Sequence, residues 1–149
     1  MKAVKSFNEF IKLNIVKKQS KDKSRAEFLI KEAERKFKSL KERLEKIGIK
    51  EDNANDYIES CYDILMQLVR AKMFLEGYNA SGIGAHEAEV SYLRNLKFSE
   101  VDVQFTHQLR YFRNGILSYG TNLDKEYAEK VLSFLNKIYP KLKEKLYES

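Results

Sequence analysis

The sequence predicts an all-α protein, an up-and-down bundle of five to six antiparallel helices. Three features carry that expectation. Apolar residues recur in steps of three and four through most of the chain. Serines and aspartates stand where helices begin and glycines where they end. No window alternates convincingly with period two, and the 149 residues include one proline.

Ser6 with Glu9, and Ser24 with Glu27, fit the capping-box spacing that satisfies two orphan backbone N–H groups reciprocally. From Ala26 one apolar stripe runs through Leu29/Ile30, Ala33, Phe37, Leu40, Leu44 and Ile47, and Gly48 follows as a residue able to take positive φ. A third helix follows the polar turn at 51–53, with Ala54, Tyr57/Ile58, Cys61, Ile64/Leu65, Leu68, Ala71 and Leu75 on its stripe and Gly77 at its end. The glycine-dense stretch 78–85 reads as an ordered loop before a short helix over 86–96. Ser99 and Asp102 open a fifth helix whose inward face reads Val101, Phe105, Leu109, Phe112, Ile116 and Tyr119. The last helix starts near Asp124 and presents Ala128, Val131, Leu135, Ile138 and Leu142, with Pro140 expected to kink or perturb it.

Composition removes several function classes. Hydrophobic residues make up 43% of the chain, enough for one domain with a core, spanning 1–149. Cys61 has no partner, so a disulfide scaffold is excluded. Lysines and glutamates interrupt every apolar run before it reaches the ~20 residues a bilayer needs. The first ten residues lack an apolar h-region, so neither signal peptide nor membrane is expected, and the compartment is read as the reducing cytoplasm.

The 28 basic and 22 acidic residues are unevenly placed. Residues 1–50, the basic N-terminal helices, carry 16 basic and 7 acidic side chains, a net of +9, whereas 51–149 nets −3. Such a segment attracts phosphates at short range. A solvated Lys/Glu helix surface fits the same composition, since Glu27, Glu32, Glu34, Glu42 and Glu45 are interleaved with the cations.

Few motifs point to chemistry. Neither His86 nor His107 follows a glutamate by three residues, and His86 with Glu89 supplies at most two ligands on one helix, so no metal and no cofactor is expected. Gly82-Ile83-Gly84 lacks the strand and the Lys-Ser/Thr of a phosphate loop. Cys61 lies on an apolar stripe and reads as a packed, inert thiol. The informative stretch is 109–120. With Phe112 and Ile116 inward, Arg110, Asn114 and Ser118 form an i, i+4, i+8 polar stripe flanked by Arg113. Guanidiniums, an amide and a hydroxyl suit a phosphate or carboxylate. They equally suit pairing with acids of a neighbouring helix or protomer.

Two stretches give the chain a family resemblance. One runs from Gly77-Tyr78 through His86-Glu87-Ala88-Glu89 to Tyr92-Leu93; the other is Arg110 through Gly120, continuing into Tyr127. Over roughly residues 50–145 the chain resembles the HEPN domain, the helical domain named for higher eukaryotes and prokaryotes nucleotide-binding. The resemblance implies a helical bundle, usually a homodimer, often paired with a nucleotidyltransferase-type protein in toxin–antitoxin systems. Ribonuclease members carry Arg, a polar residue and, a few residues on, His, facing a second copy across the dimer cleft, and cut RNA without a metal.

Carried onto this chain, the motif arginine is Arg113, the polar residue Asn114, and the histidine position falls on Ser118. A serine hydroxyl is no general base near neutral pH, and general acid–base assistance is typically worth ~10²–10⁴-fold. Tyr119, with an ordinary pKa near ~10, is a poor replacement. His107 lies about two turns before Arg113 and would have to act from another protomer. The resemblance therefore implies a degenerate, binding member with Arg110, Arg113, Asn114, Ser118 and Tyr119 as binding residues and nucleotide, RNA or a protein as partner. The alternatives are a metal-independent ribonuclease built on Arg113, Asn114 and Ser118, and a purely structural interaction module.

Overall fold

Six helices and one two-stranded sheet make up the computed structural model, which describes residues 2–148. The order is α1 (Phe7–Lys12), β1 (Val16–Lys18), α2 (Lys23–Lys46), α3 (Ala54–Glu76), β2 (Tyr78–Ala80), α4 (Ala85–Asn95), α5 (Glu100–Tyr119) and α6 (Lys125–Leu146). The all-α bundle is as expected. Among the described residues no helix is long and apolar enough to cross a membrane.

Four of the six helices start on a side-chain cap. Ser6 Oγ accepts the Glu9 N–H at 3.3 Å, Ser99 Oγ the Asp102 N–H at 3.2 Å and Asp124 Oδ1 the Tyr127 N–H at 2.8 Å. The cap of α2 is Asp22, which accepts the Arg25 N–H at 3.1 Å, so Ser24 lies inside the helix and its box with Glu27 is not the cap. Asn53 closes the turn before α3 by accepting the Lys50 N–H and donating to the Gly48 carbonyl.

Helix α3 is the hub. Fourteen of its 23 residues are buried, Cys61 among them, because α2, α4, α5 and α6 all pack on it. The basic N-terminal third joins the bundle: Phe7 and Phe10 of α1 and Ala26, Ile30, Ala33 and Leu40 of α2 are buried. Phe37 of α2 stacks on Tyr139 of α6 at 3.9 Å between centroids. Arg94 of α4 ties down the first residues by donating to the carbonyls of Val4 and Lys5 while pairing with Glu100.

Two further expectations are corrected. Residues 78–80 are a strand rather than loop, pairing antiparallel with β1 in the register Val16↔Ala80, Lys17↔Asn79 and Lys18↔Tyr78. Three-residue strands are too short to show a period of two. Helix α5 is rotated relative to its apolar stripe: Val101 and Tyr119 are 77% and 86% exposed. Leu109 is buried as expected and Phe105 and Ile116 pack against the core, but Asp102, Val103, Thr106 and His107 complete the buried set. Its polar members are satisfied, since Lys137 of α6 donates to Asp102 Oδ1 at 3.0 Å and Thr106 Oγ1 to the Asp102 carbonyl at 2.9 Å. Phe105 and Phe112 pack sideways on Phe134 and Tyr127 of α6. Helix α6 continues through Pro140 to Leu146. That proline is exposed, so the carbonyl it leaves without a partner faces water.

Candidate functional site

The rotation of α5 decides where its arginines go. With Thr106 and Leu109 inward, Arg113 leans over α3: Nη2 donates to Asp63 Oδ1 at 3.2 Å and the guanidinium lies 5.2 Å from the Tyr62 ring centroid. It opens a groove of about 300 Å³ together with Lys36 of α2, Tyr62, Asp63, Gln67 and Arg70 of α3, and His86 of α4. The expected site residues divide here. Arg113 is in the groove. Arg110 stands close enough to Tyr62 for its charge to act on the phenol, and donates to His107 Nδ1 at 3.4 Å.

Asn114 is half-buried, Ser118 and Tyr119 are exposed, and none of the three lines the groove. The expected Arg110–Asn114–Ser118 stripe therefore does not line this groove. At 100° per residue, Ser118 lies about 140° around the helix from Arg113, so the two cannot converge. His107 is also withdrawn. It is 5% exposed, and its burial, with Arg110 beside it, holds its pKa below the ordinary histidine value.

On the far wall Arg70 grips Glu89 with both arms, Nε to Oε2 at 2.6 Å and Nη2 to Oε1 at 2.9 Å. His86 Nδ1 stands 3.4 Å from Glu89 Oε1. Burial alone would raise the Glu89 pKa, but these hydrogen bonds and charges hold it below the usual carboxylate range. The sequence showed His86 and Glu89 one turn apart; what it hid was Arg70, sixteen residues before His86, on the neighbouring helix. Lys36 was hidden likewise, as one of many lysines.

Polar atoms without a partner lie beneath the groove's lining. Arg113 Nε, Tyr62 OH and Gln67 Oε1 are buried and have no hydrogen-bond partner. Burial pushes the Tyr62 phenol up, keeping it a neutral donor. Burial also raises Glu59, one turn before Asp63, against the pull of Arg113.

The arrangement favours an anion. Glu89 is neutralised by Arg70 and Asp63 is engaged by Arg113, which leaves Lys36 as the spare cation of the lining, with Glu59 close enough to Arg113 to feel its charge. A larger opening of about 520 Å³ near the starts of α3 and α6 is lined by Glu51, Asp52, Asn55 and Asp124 and presents no cation. Nucleophilic chemistry has no support at Cys61, whose thiol burial pushes up to about 12. Among the described residues no group of three or more His, Cys, Asp or Glu side chains could hold a metal. Compared with protein families, curated proteins and solved structures, the chain matches none.

Proposed function

We propose that this chain is a HEPN-like helical bundle that acts by binding a phosphate-bearing ligand, a nucleotide or RNA, in the groove between Arg113 and Arg70. The gathering of Lys36, Arg70, His86 and Arg113 from four helices around one groove carries this reading. The dimer, the nucleotidyltransferase-type partner, the toxin–antitoxin setting and the cytoplasmic location implied above belong to the same proposal. Titrating a labelled nucleotide at low salt should give binding that weakens steeply with ionic strength and by at least ~10-fold in Arg113→Ala, the size of one lost charge-assisted contact. Salt-independent binding, or an unchanged affinity in that variant, rejects the reading.

One observation favours the ribonuclease alternative. Ser118 is turned away, but the groove holds an imidazole of its own in His86, set against a carboxylate. RNA cleavage by the purified protein, lost in both Arg113→Ala and His86→Ala, would establish it in place of simple binding.

A further inference from the structure

A second opening lies along the α2–α3 seam, and it shares Lys36 and Asp63 with the groove. Arg35, Ser39 and Arg43 of α2 and Ser60 of α3 frame it around about 170 Å³. Arg43 is built in rather than solvated. Its Nη2 donates to Ser60 Oγ at 3.1 Å, its guanidinium lies 5.6 Å from the Tyr57 ring centroid, and its Nε is buried with no partner. Arg35, at the rim, pairs with Glu32 at 2.5 Å. Of the five buried side-chain polar atoms without a partner among the described residues, four belong to residues lining these two adjoining openings.

We infer that the openings are successive phosphate subsites of one track, and that the ligand is a single-stranded oligonucleotide laid along the α2–α3 seam. This rests on reading the groove as a phosphate site. Ser60 and Arg70 mark the two ends on α3, ten residues or about 15 Å apart. No single phosphate bridges that distance, whereas a short run of linked nucleotides does. Lys36, common to both openings, supplies the charge between them. Asp63 also faces both, but Arg113 already engages it.

The track reads backbone rather than bases. The rings beneath it, Tyr62 and Tyr57, are buried with the guanidiniums of Arg113 and Arg43 against them, so no exposed aromatic face is offered for stacking. Phosphate contacts position a strand without reading its sequence. The seam also gives part of the basic N-terminal third a role, through Arg35, Lys36 and Arg43.

The test is fluorescence anisotropy on the full chain with labelled single-stranded RNA homopolymers of increasing length and with a labelled mononucleotide. Affinity should rise from mononucleotide to short oligomer, similarly for uridine and adenosine polymers, and the log–log salt slope should steepen by about 0.7 per added phosphate contact. Ser39→Glu places a negative charge in the notch at an exposed helix position, where folding tolerates it. It should reduce oligomer affinity about tenfold and leave the mononucleotide unchanged, whereas Ser133→Glu, an exposed residue of α6, should change neither. Arg43→Gln should act like Ser39→Glu wherever it remains folded by circular dichroism. If the mononucleotide binds through Arg113 but the oligomer binds no tighter, or if Ser39→Glu leaves the oligomer unaffected, the track is wrong and the groove reading survives. Binding of neither probe rejects both.

Discussion

Arg70 of α3 and Glu89 of α4 meet through two parallel hydrogen bonds, 2.6 and 2.9 Å long, with the carboxylate buried and the guanidinium about a third exposed. The pair joins the hub helix to the helix that carries His86 and so fixes one wall of the groove. Removing the acid alone strands a partly buried cation. Glu89→Ala should destabilise the fold by about 2 kcal/mol in urea unfolding, below the ~3–5 kcal/mol of fully buried pairs because water screens Arg70. The double variant Arg70→Met with Glu89→Leu should recover most of that loss, because neither charge is then left unpaired. An equal loss in both variants contradicts this account.

The lowered pKa of His107 ties stability to acidity with a definite sign. Burial and Arg110 disfavour its protonated form in the folded chain, so the unfolded chain binds the proton first as pH falls. The stabilisation is fully present above about pH 6.5, the ordinary histidine value, and fades as pH drops below it. Denaturant midpoints taken at about pH 8 and about pH 5 should therefore fall further in the parent than in His107→Gln. The two proteins losing stability in parallel would exclude His107 as the cause.

Cys61 should resist alkylation. With the thiol buried and its pKa near about 12, the thiolate fraction at neutral pH is minute. Iodoacetamide should label the unfolded chain rapidly and the native protein only at the rate of global opening. Fast labelling without unfolding would place the thiol nearer the surface than described.

Two glycines with similar backbone angles should respond differently to alanine. Gly77 ends α3 at φ +83°, and a Cβ there would stand 2.7 Å from the Gln19 carbonyl oxygen. Gly48 follows α2 at φ +77° with open space around it. Gly48→Ala should cost about 1 kcal/mol, the penalty of a left-handed alanine. Gly77→Ala should cost about 2–3 kcal/mol, because the Gln19 main chain, held by its N–H donation to the Gly77 carbonyl at 2.9 Å, must also move. Thermal unfolding of the two variants orders them directly.

The bundle was legible because helix signals are local. Ser6, Ser99, Gly48 and Gly77 act within a turn of themselves, and the stripes of α2, α3 and α6 need only regular spacing. The face of α5 was misread because it buries Asp102, Thr106 and His107, whose partners are Lys137, a main-chain carbonyl and Arg110. Apolar periodicity has no means of weighing a satisfied polar residue. The groove was legible only at Arg113. Its other members come from three helices, and pairings such as Arg70–Glu89 and Arg113–Asp63 exist only once those helices are packed.

On the reading proposed above, Asp63 gives the groove a filter. Because this carboxylate already neutralises Arg113, a singly charged ion such as chloride gains little by displacing it. A guest bearing several negative oxygens would engage Arg113 and Lys36 together, and so overcome the resident acid. Crowded among small ions, the groove would stay closed to most of them and admit only the densely charged.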